Sequence, residues 1–375
     1  MRYEDTLAGL ARKSRLRVLS PQKGIDFSSN DYIGLAHSAR LADVIVEAIN
    51  EGTPVGAGGS RLLRGNHWVH EALEVEAAAF FGAEKALYFA SGFAANVALF
   101  SCLPQRDDLL VHDELIHASV RDGVSAGKAG AVAARHNDVE DFDAAIGRWR
   151  TNGGRGRPWI AVESLYSMDG DRAPLADLVE LAKRHDGFLV VDEAHATGVF
   201  GPDGKGLAFD LANSESLITL HTCGKALGVS GALLALPAAL ADFMVNRARN
   251  FIYSTAPSPL LAAGVREALR MVADEPERRL RLDALREFAG KQVRSVLGIT
   301  PSGSQIQPVI IGDNACATRI ASRLQDEGFD VRAIRPPTVP EGTARLRLSI
   351  TLNVQEAQIS TMIERMAAII GEERR

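Results

Sequence analysis

The sequence of 375 residues is long enough to bury a large core, and its 46% hydrophobic and 24% charged residues with 34 glycines are typical of a folded α/β protein. A formal net charge of -5 argues against a surface that binds nucleic acid through its phosphates. The three cysteines, Cys102, Cys223 and Cys316, are too few and too widely spaced for a zinc quartet or a disulfide framework, and they fit a reducing compartment.

The N-terminal residues predict a cytoplasmic protein that begins with an arm. Arg2, Glu4 and Asp5 precede any apolar stretch, so the pattern of a secretory signal is missing. The longest apolar stretch, residues 231–241, has about half of the roughly 20 residues that a membrane span needs. Residues 1–37 are predicted to form the arm, with a short helix that continues through Arg17.

Residues 38–270 predict a large domain in which amphipathic helices alternate with short apolar strands. This alternation predicts a mostly parallel sheet with helices on both faces, a three-layer α/β sandwich. From residue 271 to residue 375 the pattern changes to that of a small α+β domain. The predicted strands of the large domain cover residues 86–90, 109–112, 131–134, 159–163, 188–192 and 217–222.

An aspartate and a lysine follow two of these predicted strands. Residues 188–192 end in Asp192, with His195 shortly after it, and residues 217–222 are followed by Lys225. Because the carboxyl ends of parallel strands meet at the ligand-binding edge of a sheet, we expect these side chains on one rim. A lysine that forms an imine and an aspartate that keeps the ring nitrogen protonated are what a pyridoxal-phosphate site requires.

Other interpretations of these residues exist. Taken singly, Asp192 can cap a turn and Lys225 can be a solvated surface lysine. Residues 192–195 also spell the Asp-Glu-Ala-His tetrapeptide of one helicase class, but no Gly-Lys pair here is followed by the Ser or Thr of a Walker A loop. A non-catalytic protein that binds a nucleotide through residues 56–60 or through Ser91 and Gly92 is an alternative from a different class.

Further polar residues follow the other predicted strands. Gly92 lies where a helix should begin, and the N–H groups of a helix start suit a phosphate. His117 can lie over a flat ring, although a lone histidine at a helix start is more often a structural hydrogen-bonding group. Glu163 and Ser167 end another strand with polar side chains that can bind a cofactor.

The predicted small domain contributes arginines. Arg335 and Thr338 lie in a proline-rich segment, and Arg345 and Arg347 alternate along a predicted strand. The fork of a guanidinium group suits a substrate carboxylate. The alternative is an amphipathic strand with a solvated cationic face.

Together these motifs resemble the α-oxoamine synthases, fold-type I pyridoxal-phosphate enzymes that condense amino acids with acyl thioesters. The resemblance begins at Asp26-Phe-Ser-Ser-Asn-Asp-Tyr-Ile-Gly34 and ends at Arg345-Leu-Arg347, so it covers nearly the whole chain. It implies the fold-type I sandwich with a small α+β C-terminal domain, pyridoxal 5'-phosphate as the cofactor, and a homodimer. No metal is expected.

The resemblance also implies roles for individual residues. Lys225 would form the imine with the cofactor, Asp192 would pair with the pyridinium nitrogen, His195 would contact the phenolic oxygen and His117 would stack on the ring. The other implied cofactor contacts are Gly92, Phe93, Glu163, Ser167, Thr222, Ser254 and Thr255, the last two across a dimer interface. The implied substrate contacts are Arg17, Asn30, His117, Arg335, Thr338 and Arg347, the last of which would hold the amino-acid carboxylate.

Within the family, Ala194 and Thr197 favour the branch that joins L-alanine to a pimeloyl thioester. Another branch, using glycine or serine with a different acyl thioester, is the nearest alternative. The sequence leaves open whether coenzyme A or an acyl-carrier protein bears the acyl group.

Overall fold

The computed structural model describes residues 2–211 and 215–373, so Met1, residues 212–214 and residues 374–375 lie outside the described part. The chain divides into two compact units. One consists of the described residues of Met1–Tyr32, Ser167–Asp171 and Leu280–Arg375, and the other of those of Ile33–Tyr166 and Arg172–Arg279.

Helices and strands alternate through most of the chain, as the sequence predicts. The helices are α1 (Arg2–Arg12), α2 (Ala39–Asn50), α3 (Trp68–Phe81), α4 (Gly92–Cys102), α5 (Ala118–Ala126), α6 (Val139–Thr151), α7 (Leu175–Arg184), α8 (Ala238–Arg247), α9 (Arg249–Ile252), α10 (Pro259–Asp274), α11 (Pro276–Leu297), α12 (Asn314–Asp326) and α13 (Glu356–Glu373). The strands are β1 (Ile25–Asp26), β2 (Lys85–Phe89), β3 (Leu109–Asp113), β4 (Gly130–Ala134), β5 (Pro158–Glu163), β6 (Phe188–Asp192), β7 (Leu217–Thr222), β8 (Ala232–Leu236), β9 (Ile306–Gly312), β10 (Phe329–Asp330), β11 (Arg332–Ile334) and β12 (Ala344–Ser349).

The larger unit is built on a seven-stranded sheet, counted over the described residues, with the order β2-β8-β7-β6-β5-β3-β4. Strand β8 is antiparallel to both of its neighbours, and the pairs from β7 to β4 are parallel. The predicted mostly parallel sheet is therefore confirmed. All six strands predicted for the large domain occur, with ends that agree to within one residue.

Both faces of this sheet are buried, and strand alternation decides which face each residue joins. In β6, Leu189 and Val191 join the hydrophobic cluster that contains residues of α6 and α7. Phe188 and Val190 join the cluster on the other face, which contains residues of α4, α5 and α8. Helices thus cover both faces, which confirms the three-layer sandwich.

The smaller unit contains a three-stranded antiparallel sheet with the order β11-β12-β9 and a short parallel pair of β1 with β10. Helices α12 and α13 contribute the buried residues Leu324 and Met362 to this unit. Strands β1, β10 and β11 span only two or three residues each. Such short strands carry no periodic pattern, which explains why sequence periodicity did not predict them.

The first helix is shorter than predicted. It ends at Arg12, so its predicted continuation through Arg17 is wrong. Ser14 has a φ of 53°, in the left-handed region, and the Arg15 N–H donates to the Leu10 carbonyl at 2.8 Å. This bond closes the helix in the manner of a left-handed cap. In the described part of the chain, none of the helices has the length and apolar character required to cross a membrane.

Candidate active site

The carboxyl ends of three adjacent strands in the larger unit carry polar side chains. Glu163 ends β5 and is in register with Asp192, which ends β6. Thr222 ends the next strand, β7, and Lys225 follows it after two residues. Because the parallel strands are in register, these residues lie together on one edge of the sheet, as predicted.

Asp192 points to the α4 side of the sheet. It has the strand parity of Val190, which lies in that cluster, and it is only 7% exposed. Its Oδ1 accepts from the Ala194 N–H at 3.0 Å, and its Oδ2 accepts from Asn96 Nδ2 at 2.9 Å. Each carboxylate oxygen retains acceptor capacity, because an ionised carboxylate can accept about four hydrogen bonds.

Lys225 lies against His195. The Lys225 Nζ is 3.0 Å from the His195 Nε2, and His195 is buried with 5% of its surface exposed. His195 belongs to the turn that directly follows Asp192, so one strand end supplies both the carboxylate and the imidazole. The lysine and aspartate thus lie on neighbouring strand ends, with the histidine beside the amine.

His117 precedes α5 and caps it. Its Nδ1 accepts from the Ser119 N–H at 3.3 Å and lies 2.7 Å from the Ser119 Oγ. The Phe93 ring lies edge-on to it, with ring centroids 6.5 Å apart. Burial lowers the pKa of His117, while Asp192 raises it and Lys225 lowers it. The charges of Asp192 and Lys225 therefore both act on His117 through space.

The start of α4 lies beside the end of β7. Ser91 caps the helix by accepting from the Ala94 N–H at 3.1 Å. The N–H groups of Gly92 and Phe93 precede the first intrahelical hydrogen bonds, so helix geometry leaves them available to an anion. A Cβ added to Gly92 would lie 3.5 Å from the Thr222 Oγ1, an ordinary contact distance that shows how close the two residues are.

Ser254 and Thr255 follow α9 and are exposed in the single chain. They line a small cavity of about 30 Å³ together with Ala90 and Ala94 of the same chain. The predicted contribution of these hydroxyls across a dimer interface stays a prediction.

Glu193 points away from Asp192. It is fully buried beneath the other face of the sheet, where it accepts from the Ser164 Oγ at 2.5 Å and the Leu207 N–H at 3.1 Å, as well as from the Ala208 N–H. Burial raises the pKa of Glu193 to about 7. A cavity of about 770 Å³ is lined by Glu193 and, at the amino ends of the strands, by Phe188 and Leu217. Lys225, Asp192 and His195 do not line this cavity.

In the smaller unit, Arg347 is buried in the middle strand of the antiparallel sheet, with 6% of its surface exposed. Its Nε donates to the Ser167 carbonyl at 2.6 Å and its Nη1 to the Ser349 Oγ at 2.7 Å. Its Nη2 donates to the Asn30 Oδ1 at 3.1 Å and the Tyr32 hydroxyl at 3.2 Å. All four acceptors are neutral, so the charge of Arg347 has no anionic partner among them.

Arg345 differs from Arg347, although both are buried on β12. Arg345 forms an ion pair with Asp169 and donates to the Met168 carbonyl at 3.2 Å. The alternative of a solvated cationic face is therefore wrong for both arginines, which are 3% and 6% exposed. Arg347, in contrast, donates to neutral groups.

A second group of predicted substrate residues lies in the smaller unit. The Arg17 Nη2 donates to the Thr338 Oγ1 at 3.1 Å. Arg335 donates to the Ser14 carbonyl at 3.0 Å, and partial burial and the nearby charge of Arg17 lower its pKa. Two guanidinium groups thus lie close together, an arrangement that favours an anion.

Comparison with known proteins identifies the family. A family model described as "Aminotransferase class I and II" matches residues 22–366. The chain belongs to this family. It is 40% identical over 387 residues to the 8-amino-7-oxononanoate synthase of Chromobacterium violaceum, covering 98% of both chains.

Two solved structures have a similar fold. Serine palmitoyltransferase from S. paucimobilis, with a bound PLP-myriocin aldimine, superposes with a TM-score of 0.90 at 27% identity, over 100% of this chain and 98% of that one. The 8-amino-7-oxononanoate synthase of Francisella tularensis superposes with a TM-score of 0.79 at 26% identity, over 94% of this chain and 99% of that one.

The residues of this family member fit pyridoxal phosphate. Lys225 offers an amine, Asp192 offers a buried carboxylate with acceptor capacity to spare, and the start of α4 at Gly92 offers N–H groups to a phosphate. In the described residues, no group of three or more histidine, cysteine or acidic side chains could hold a metal ion.

Sequence reasoning missed Asn96 and Ser119. Both are buried, with 2% and 0% of their surfaces exposed, and the Asn96 Nδ2 donates to the Ser119 Oγ at 3.0 Å as well as to Asp192. The available signal was an amide within the otherwise apolar helix Gly-Phe-Ala-Ala-Asn-Val-Ala-Leu-Phe. A buried amide needs partners, so this asparagine predicts a polar contact beyond its own helix.

Proposed function

We propose that this chain is a pyridoxal-phosphate-dependent acyltransferase that condenses L-alanine with a pimeloyl thioester to give 8-amino-7-oxononanoate in biotin biosynthesis. The observation that carries the proposal is the contact of Lys225 with His195 beside the buried Asp192, at the carboxyl edge of the sheet. Such a pairing of amine and carboxylate suits a cofactor that stabilises a carbanion.

Sequence identity supports this branch of the family over serine palmitoyltransferase. The serine palmitoyltransferase structure superposes better, but the two solved structures are equally distant in sequence, at 27% and 26% identity. The 8-amino-7-oxononanoate synthase of C. violaceum is 40% identical over nearly the full length. Sequence identity reflects side chains as well as backbone, so it bears more directly on the substrate than similarity of fold does.

In the proposed reaction a C–C bond forms between alanine Cα and the thioester carbonyl carbon, the C–S bond breaks, and the alanine carboxylate leaves as carbon dioxide. When bound, pyridoxal phosphate supplies an electron sink for negative charge at Cα. Asp192 would hold a proton at the pyridine nitrogen, because a buried carboxylate favours a cationic partner. The Asn96 and Ala194 hydrogen bonds keep this carboxylate in place.

Lys225 would first hold the cofactor and then move the Cα proton as a general base. His195 lies 3.0 Å from the Lys225 Nζ, so it can orient this amine and contact the phenolic oxygen of the cofactor. His117 would lie on the ring, with Phe93 edge-on beside it. Gly92, Phe93 and Thr222 would bind the phosphate, and Glu163 and Ser167 would add polar contacts.

Arg347 would bind the alanine carboxylate, because it is a buried cation held by neutral groups that include Asn30. Arg17, Arg335 and Thr338 would bind the acyl substrate, which carries a carboxylate at its far end. These assignments follow the family resemblance and the local charge.

Assembly and location are further parts of the proposal. The exposed Ser254 and Thr255 and the family resemblance support a homodimer whose subunits share sites. The three cysteines are free, which agrees with a cytoplasmic protein.

The central assignment is tested by reduction with borohydride, which should fix a pyridoxyl group onto Lys225 in the purified protein. Lys225→Ala should lose both turnover and the visible absorbance of the protein-bound imine. Lys183→Ala, which removes a surface lysine paired with Glu180, is the matched control and should retain both. A yellow, active Lys225→Ala enzyme, or a parent protein that binds no cofactor, contradicts the proposal.

The substrate assignment needs a separate assay. The enzyme should turn over L-alanine with a pimeloyl thioester and should not use glycine or serine at a comparable rate. Offering coenzyme A and acyl-carrier-protein thioesters side by side identifies the donor. Faster turnover of serine with a long-chain acyl thioester would instead assign the chain to the serine palmitoyltransferase branch.

A further inference from the structure

A continuous path of hydrogen bonds joins Asp192 to His117 through two residues outside the assigned cofactor contacts. The Asn96 Nδ2 lies 2.9 Å from the Asp192 Oδ2 and 3.0 Å from the Ser119 Oγ. The Ser119 Oγ lies 2.7 Å from the His117 Nδ1. The four residues come from the end of β6, helix α4 and the start of helix α5.

Donor and acceptor chemistry fixes the direction of this path. An amide NH2 group has two protons and can only donate, so Asn96 donates to both Asp192 and Ser119. The Ser119 hydroxyl accepts from Asn96, and its own proton is directed to the His117 Nδ1. The Ser119 N–H also donates to that nitrogen, at 3.3 Å. Nδ1 is therefore an acceptor, and a neutral His117 carries its proton on Nε2.

Close packing of the two helices holds this path together. A Cβ added to Gly123 of α5 would lie 2.9 Å from the Phe100 Cβ and 3.0 Å from the Asn96 carbonyl oxygen. Glycine at this position therefore permits an approach that a larger residue would prevent. Asn96 and Ser119 are 2% and 0% exposed, so solvent cannot readily replace either partner.

We propose that Asn96 and Ser119 are positioning residues that couple Asp192 to His117, fixing the carboxylate and holding the imidazole in the tautomer with Nε2 protonated. The inference rests on the proposed function, which assigns Asp192 to the ring nitrogen and His117 to the ring face. A single network then orients the groups that contact the cofactor at its edge and on its face. Burial lowers the pKa of His117, and a neutral ring is what this direction favours.

The test is the ¹⁵N signal of the His117 ring in the holoenzyme, assigned with His117→Gln. The parent should show a neutral ring protonated at Nε2. Ser119→Ala and Asn96→Ala should each give mixed tautomers, and Ser119→Thr, which restores a hydroxyl, should recover the parent signal. Asn96→Ala should also weaken cofactor binding by about tenfold, the effect of losing one hydrogen bond to a buried charge.

Two controls separate positioning from helix stability. Ser101→Ala in α4 and Ser125→Ala in α5 remove hydroxyls that, among the described residues, bond to the backbone of their own helix. Both should leave the tautomer and cofactor affinity unchanged. A parent ring protonated at Nδ1 overturns the inference even if every variant misfolds, as does an unchanged tautomer in both alanine variants. A parent without cofactor absorbance would instead refute the proposed function.

Discussion

Arg347 provides the most direct test of how the amino-acid substrate is bound. The guanidinium has five N–H donors, and the structure uses four of them, on Ser167, Ser349, Asn30 and Tyr32. Within the described residues, this leaves one donor, on Nη1, for a substrate. We therefore expect a single charge-assisted hydrogen bond to the alanine carboxylate, and not a bidentate pair.

This count sets the size of the expected effect. A hydrogen bond to a charged group contributes about 1.5–3 kcal/mol. Removing it by Arg347→Met should raise KM for L-alanine by roughly 10- to 100-fold, since about 1.4 kcal/mol corresponds to a factor of ten. Arg347→Lys keeps the positive charge and can supply the one N–H donor needed, so it should recover a substantial part of the loss. A bidentate contact would not be recovered by lysine.

The assay is steady-state kinetics with L-alanine and the pimeloyl thioester varied independently. Arg345→Met is the matched control, because this neighbouring arginine is already paired with Asp169. It should lower thermal stability and leave KM for alanine close to that of the parent. An Arg347→Met enzyme whose KM rises only for the acyl donor would refute the assignment, and an Arg347→Lys enzyme as impaired as the Met variant would refute the single-donor geometry.

Two further outcomes follow from the larger unit. Burial raises the pKa of Glu193 to about 7, against 4.5 for a solvated glutamate, so between these two pH values the folded state binds a proton that the unfolded state has lost. The free energy of unfolding therefore falls as the pH rises from 4.5 to 7, by on the order of 3 kcal/mol. Urea unfolding at pH 5 and pH 8 should show a smaller decline for Glu193→Gln, and an equal decline in both proteins would contradict this explanation. Mixed dimers of Lys225→Ala with a Ser254→Ala/Thr255→Ala chain should recover activity if these hydroxyls serve the partner's site, because one complete site then forms. If they act within their own chain, beside Ala94, mixing should recover none.

The sequence predicted the sheet and the rim well because both depend on local patterns. Strands β6 and β7 are short apolar runs, and a parallel sheet brings their carboxyl ends to one edge. Asp192 and Lys225 could therefore be placed together from their position after these strands. The end of α1 was not predicted because it depends on the left-handed backbone at Ser14. Glycine or asparagine would have indicated such a conformation, and serine does not.

The connections between site residues could not be predicted in the same way. Arg345 and Arg347 are two residues apart on the same strand, and they differ in the acceptors beside them. Asn96 and Asp192 are 96 residues apart in the chain, so their hydrogen bond depends on the packing of α4 against the sheet. Such pairs need tertiary contacts, which neither periodicity nor a short motif contains.

The tetrapeptide at residues 192–195 can be interpreted only together with the strand that precedes it, because the strand decides where each side chain points. Asp192 has the parity of the α4 face and faces Asn96, whereas Glu193 lies under the opposite face and binds the backbone at Leu207. Two consecutive carboxyl groups therefore have different environments, one with open acceptor capacity and one enclosed by donors. A shift of one residue in the register of β6 would exchange them and bury the aspartate away from Asn96. The chemistry of the site thus depends on strand β6 ending at Asp192. The tetrapeptide sequence alone does not define it.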